Sequence, residues 1–310
     1  RKMLYCLGSK NWKKEDVARD VAELTNQRSF HSPVKEILVS PFEVVLFPGE
    51  QKTFVAQAVD SKGQNKEIEA EWFLDGLKGV ISSKGNLTLT AENRPQGGLL
   101  VAKVGDLKGI ARISSRPRVP FQEDFERLDQ GTVPNGWNSA RGRFEVALLE
   151  GNKVLKKLTK NPRSWRTMIF LGDRKASGYE IKAEMKATEQ RRRLPDMGLV
   201  AQRYILSLMG NRQRLQIRSW LSELGHFSKT IKYVVVPDVW YRMRLRVEVQ
   251  TFGTEGKIKG KVWKRGEPEP SRWTIEAIDP IVHREGSPGI YGYSSAEIYY
   301  DNVSVTAVDE

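Results

Sequence analysis

Cysteine is almost absent from this chain: Cys6 is the only one in 310 residues. No intramolecular disulfide and no thiolate-rich metal site can form from it. Long apolar runs are missing too. A stretch such as Tyr233–Val236 is far too short to span a bilayer. No signal peptide is legible, because Arg1–Tyr5 runs from charge directly into strand-like residues, and a leader could precede them. Histidine is scarce, with His31, His226 and His283 all in loop-like contexts, and no G-x-S-x-G elbow accompanies them. The sequence also lacks H-E-x-x-H, an EF-hand loop and a phosphate-cradling glycine motif. Nor does it contain a helix-turn-helix or RNP-like pattern, which argues against nucleic acid as a partner.

What remains is globular and basic. Hydrophobic residues make up 39% and charged residues 29%, too apolar a balance for a disordered chain. The net charge of +13 favours an anionic partner, or else it is a solvated basic surface that aids solubility. The length allows two domains with their own cores.

Three segments follow from the patterning. Residues 1–32 hold a short strand up to Gly8 and a connecting helix over Asn11–Gln27, where Trp12, Val17, Val21 and Leu24 recur at helical spacing. Residues 33–116 read as short alternating strands with a turn every 8 to 12 residues, the rhythm of an immunoglobulin-like sandwich. Gly105-Asp106 between two apolar runs signals a hairpin there. The proline-bracketed joint Ser115-Arg-Pro-Arg-Val-Pro120 stiffens the connection. Over residues 120–310 the strands lengthen. In Gly178–Ala187 and Tyr241–Val249 every second residue is apolar, as in half-buried antiparallel strands of a large two-sheet jelly roll. The predicted fold class is therefore all-β: an Ig-like β-sandwich, then a concanavalin A-like jelly-roll β-sandwich, behind a short N-terminal helix.

Particular residues carry family resemblances. Ile37-Leu-Val-Ser-Pro41, Leu46-Phe-Pro-Gly-Glu50, Glu71-Trp72 and Ile81-Ser-Ser-Lys-Gly-Asn-Leu-Thr88 resemble bacterial Ig-like domains of surface proteins, although Phe73 and Leu74 replace the usual small residues. Phe121-Gln-Glu-Asp-Phe-Glu126, with Gly131-Thr-Val-Pro-Asn-Gly-Trp137, resembles the opening of a laminin-G-like or 3-keto-disaccharide-hydrolase-type domain. Pro237-Asp-Val-Trp-Tyr-Arg-Met-Arg-Leu245 is similar to a central strand of that superfamily, and Gly286–Gly292 and Ile298–Val305 to its last two strands. Leu4-Tyr-Cys-Leu-Gly8 is similar to a strand of a PQQ-type propeller repeat. Together these resemblances imply the C-terminal part of a bacterial propeller-repeat protein. They imply an N-terminal propeller domain as a partner in a longer chain, and a periplasmic, cell-surface or secreted location.

The candidate chemistry lies in the jelly roll. Basic residues concentrate at Arg191–Arg193, Arg203, Arg212, Arg214, Arg218, Arg242, Arg244 and Arg246. Gln216, Arg218 and Trp220 share one strand face, because Leu215 and Ile217 take the buried positions. Arg242, Arg244 and Arg246 share a face of another strand. If both strands belong to one sheet, these six residues form a single surface for a polysaccharide, and an anionic one suits arginine forks best. The competing reading is a cross-strand ladder in which Glu180, Glu184 and Glu248 neutralise the arginines. Asp124 and Asp301, near the first and last strands, supply oxygens that a calcium clamp would use, or they simply cap turns. The function expected is a non-catalytic recognition or scaffolding module of the cell envelope that binds glycan. The alternatives are a glycoside hydrolase-like enzyme, since this sandwich superfamily includes glycanases, and a purely structural interaction module. No E-x-D-x-x-E strand is present to favour the enzyme.

Overall fold

A computed structural model describes residues 33–159, 161–162, 165–219, 227–250 and 252–308. The expected N-terminal strand and the helix over Asn11–Gln27 lie outside the described residues, as do His31, Trp220 and His226. The described chain is all-β and divides into two compact units at Ser115/Arg116. Among the described residues, no helix is long and apolar enough to cross a membrane.

In the first unit the strands are β1 (Val34–Ser40), β2 (Glu43–Leu46), β3 (Gln51–Thr53), β4 (Val55–Asp60) and β5 (Asn65–Ile68). They are followed by β6 (Glu71–Asp75), β7 (Gly79–Ile81), β8 (Asn86–Leu89), β9 (Gln96–Val104) and β10 (Leu107–Ser115). Three sheets, ordered β1-β4-β5, β2-β10-β9-β6 and β3-β8-β7, close on Leu46, Phe54, Leu87, Leu100 and Ile113. The two-residue turn at Gly105-Asp106 joins β9 to β10, and Gly105 takes a φ of 57°, as a tight hairpin needs. At Gly85 (φ 75°) a Cβ would stand 2.1 Å from the Phe54 carbonyl, which accounts for glycine there.

The second unit begins with β11 (Phe121–Glu123), β12 (Phe144–Leu149), β13 (Asn152–Lys157), β14 (Arg166–Phe170) and β15 (Tyr179–Ala187). Next come β16 (Asp196–Ala201), β17 (Tyr204–Met209), β18 (Arg214–Ser219), β19 (Ser228–Lys232) and β20 (Trp240–Val249). It ends with β21 (Gly256–Lys264), β22 (Ile275–Asp279), β23 (Gly289–Tyr293) and β24 (Ile298–Ala307). One eight-stranded sheet runs β12-β13-β24-β15-β20-β21-β22, with β11 beside β24. A six-stranded sheet runs β14-β23-β16-β17-β18-β19. Period-two alternation turns Met197, Leu199, Leu206, Leu208, Leu215 and Ile217 of the smaller sheet toward Ile181, Met185, Met243, Leu245 and Val305 of the larger one. These side chains fill the core between the two sheets.

One strand departs from the sequence expectation. The alternation in Tyr179–Ala187 predicts one wet face, yet Glu180, Glu184 and Lys186 are buried as well. The strand is central, with β24 on one side and β20 on the other, and the long arginines of β20 fold over its carboxylates.

Candidate functional site

The outer face of the eight-stranded sheet carries Arg242, Arg244 and Arg246. In register they stand opposite Glu184, Lys182 and Glu180. Glu180 Oε2 accepts bonds from Arg244 Nη2 at 2.6 Å and Arg246 Nη2 at 2.6 Å, and Arg242 Nε donates to Glu184 at 2.7 Å. Glu269 accepts from Arg244 and Lys261, while Glu248 pairs with Lys259 and Arg246. Trp273 lies across this array, within 5.0 to 5.8 Å of Arg244, Arg246, Lys259 and Lys261. Burial opposes ionisation of Glu180 and Glu184, but the arginine hydrogen bonds outweigh it and hold both below the usual carboxylate range. A general acid needs the opposite shift. Here the ladder reading applies: opposite charges at neighbouring positions consume each other.

The single surface expected from the sequence is therefore split. Arg242, Arg244 and Arg246 lie on β20 of one sheet, whereas Gln216 and Arg218 lie on β18 of the other. Two sheets packed on a shared core turn their outer faces in opposite directions, so these side chains cannot contact one ligand together. Period-two alternation fixes each strand's inner face and leaves its partner strands unspecified.

Gln216 and Arg218 border a different arrangement, a cleft of about 360 Å³ on the outer face of the six-stranded sheet. Across its floor Tyr291, Gly198, Ser207 and Gln216 stand side by side in register. Gly198 has no side chain here because a Cβ would meet the Leu206 carbonyl at 2.1 Å, and Ser207 is small, so the floor is low. A second row sets Arg166, Tyr293, Asp196 and Met209 side by side. Next to Tyr291, Val200, Ile205, Met168 and Phe170 form an apolar cluster on the same sheet.

Four guanidinium groups, from Arg166, Arg193, Arg212 and Arg218, line the cleft with a single carboxylate, Asp196. Arg166 stacks over the Tyr293 ring at 4.9 Å and Arg218 over the Tyr291 ring at 5.5 Å, which orients both forks. Tyr291 is buried, whereas Tyr293 keeps 41% of its surface exposed. Burial pushes the Asp196 carboxyl up to about 6, although the Gly210 backbone N–H and the charges of Arg212, Arg166 and Arg218 favour its ionised form. Unlike the β20 arginines, these four form no salt bridge with a carboxylate among the described residues.

Sequence reasoning named Arg193 and Arg212 in the basic run but did not place them in a site, and it missed Arg166, Asp196, Tyr291 and Tyr293. The Gly289-Ile-Tyr-Gly-Tyr293 pattern was a usable signal, since it puts two tyrosines on one strand face with little beside them. Nothing local distinguishes Arg166 or Asp196. Both become site residues through pairing with β23.

Asp124 and Asp301 line a second cavity, of about 460 Å³, on the eight-stranded sheet beside Glu126, Glu150, Asn152, Asn302 and Trp240. A bulge in β24, with Asn302 at a φ of 48°, breaks the pairing with β15 at this point. The oxygens are largely engaged. Asp301 accepts from Asn152 Nδ2 and the Asn302 N–H, both at 2.7 Å. Asp124 caps the Glu126 N–H, Glu126 accepts from the Lys153 N–H, and Glu150 pairs with Lys186. Among the described residues, no three acidic, histidine or cysteine side chains converge as a metal site. The two aspartates of the clamp expected from the sequence thus share one cavity, and several of the oxygens around it accept from backbone, amide and lysine donors. His283 is also accounted for locally: its ring bonds Ser219 Oγ at 3.0 Å and packs on Tyr204.

Comparison with known proteins finds no matching family model and no matching curated protein. Among solved structures, the chain is similar to a carbohydrate-binding module, CBM66, of Bacillus subtilis. Identity is 14% and TM-score 0.40, over 56% of this chain and 96% of that one. It is also similar to a structure from work on endo-acting O-glycanases of the human gut microbiota, at 12% identity and TM-score 0.41, over 61% of this chain and 99% of that one. A third is the galectin LEC-6 of Caenorhabditis elegans, at 10% identity and TM-score 0.31, over 49% of this chain and 95% of that one.

Proposed function

We propose that this chain is a non-catalytic glycan-recognition module and that the cleft on the six-stranded sheet is its binding site. One observation carries the reading. An exposed tyrosine ring, oriented arginine forks and a lone carboxylate meet over a floor that Gly198 and Ser207 keep low. Tyrosine offers a flat apolar face with a polar tip, and the fixed donors and acceptor beside it match a ring carrying hydroxyls. Hydrolysis of a glycosidic bond ordinarily needs two carboxylates across the scissile bond, and Asp196 is the only one among the described lining residues. The segment Leu4–Gly8 supports placing the module after a propeller in a longer exported protein.

The test is saturable binding of the full chain to a panel of neutral and acidic polysaccharides, followed by Tyr293→Ala. Loss of the ring should weaken binding at least tenfold, about 1.4 kcal/mol, with the melting temperature unchanged because Tyr293 is exposed. Failure to bind any polysaccharide would refute the reading. Release of reducing sugar that disappears in Asp196→Asn would establish the enzyme instead.

A further inference from the structure

We infer that the cleft selects a sugar residue bearing an acid group, a carboxylate or a sulfate, with the arginines gripping the acid and Asp196 accepting a hydroxyl of the same ring. The inference rests on the proposed glycan site and adds the class of sugar.

The first support is the contrast between the two outer faces of this unit. On β20 each arginine has a carboxylate at hydrogen-bond or salt-bridge distance, and that charge is consumed internally. In the cleft, four arginines share one aspartate, and none of the four is in a salt bridge with a described carboxylate. A concentration of like charge on a sheet face is costly unless something compensates it, and an anion is the natural complement. Arg166 and Arg218 are already fixed by their stacking on Tyr293 and Tyr291, so a bidentate acid group would find forks that lose little freedom on binding.

The second support is Asp196. A site built for a bare anion gains nothing from a carboxylate on its wall, which would repel the ligand. Here Asp196 stands in register between Tyr293 and Met209, within the field of Arg212, Arg166 and Arg218. Its useful role is to accept a hydroxyl, so the ligand must present both an acid group and hydroxyls. A sugar acid or a sulfated sugar does so.

The experiment measures binding of the full chain to polygalacturonate and dextran sulfate, each against its neutral counterpart, carboxyl-reduced polygalacturonate and dextran. At least one acidic polymer should bind at least thirtyfold more tightly than its counterpart, and whichever does identifies the acid group. Arg212→Gln and Arg193→Gln, both at exposed positions, should each reduce that preference at least fivefold without shifting the melting temperature. Asp196→Ala separates a built site from simple ion exchange. It makes the cleft more positive, so a nonspecific patch would bind more tightly, whereas the proposed site should bind at least tenfold more weakly. Asp196→Asn, which keeps the side chain's size and one acceptor oxygen, should show a smaller loss and guards against misfolding. Equal binding of acidic and neutral polymers would overturn the inference while leaving glycan recognition standing. Tighter binding by Asp196→Ala, or equal affinity for single-stranded DNA, would overturn it as well. Binding of no polymer at all removes the proposed glycan site and this inference with it.

Discussion

Replacing Glu180 with glutamine should destabilise the second unit by about 3 kcal/mol in denaturant unfolding, the low end expected when a buried ion pair loses one partner. The carboxylate is almost fully buried and takes four hydrogen bonds from two guanidinium groups through one oxygen. Without its charge, Arg244 keeps Glu269 and Arg246 keeps a looser contact with Glu248 at 3.7 Å, which limits the damage. The pH dependence has a definite sign. Glu180 titrates below the usual range when folded, so its contribution is present above the unfolded carboxylate's pKa and is lost as pH falls through the folded one. The gap between wild type and Glu180→Gln should therefore close in acid. Glu248→Gln is the comparison: that residue is about one-third exposed, and its replacement should cost under about 1 kcal/mol. Similar small losses for both would mean that the ladder does not hold the sheet together.

Asp301→Asn should have the opposite sign. Burial raises the Asp301 carboxyl from 3.8 to about 6, and the nearby charges of Glu184 and Glu126 act in the same direction. A carboxylate with a raised folded pKa contributes fully below its unfolded value and loses that contribution as pH rises through the folded one. Asparagine mimics the neutral form at every pH. Asparagine offers one acceptor oxygen where Asp301 uses two, so the variant starts with a lost hydrogen bond near pH 4 and should gain on the wild type as pH rises to 7. Unfolding in chelator from pH 4 to 7 measures this directly. A variant that falls further behind the wild type as pH rises, with a growing deficit at pH 7, would show that Asp301 is held ionised. If that deficit appeared only with calcium present, a cation would be what holds it.

These two carboxylates also show what a sequence can and cannot reveal. The alternation of Tyr179, Ile181, Ala183 and Met185, and of Met243, Leu245 and Val247, made two-faced strands legible, because period two is a local property. The turn at Gly105-Asp106 was legible for the same reason. Sheet membership was not. Whether Arg218 shares a surface with Arg244 depends on which strands pair, and β18 pairs with β17 and β19 while β20 pairs with β15 and β21. The burial of Glu180 escaped notice because a charged residue on an outward face reads as solvated until its cross-strand partners are known. Arg166, Asp196 and Tyr293, separated by 30 and 97 positions in sequence, become neighbours only through β23.

Hydrogen–deuterium exchange of the full chain, with and without a saturating polysaccharide found by the binding panel, tests the central claim most directly. Exchange should slow in Arg166–Phe170, Asp196–Ala201 and Gly289–Tyr293, the strands that build the cleft, and stay unchanged in Trp240–Val249 and Gly256–Lys264. Protection confined to the latter two strands would put the glycan on the arginine ladder of the opposite sheet and contradict the account.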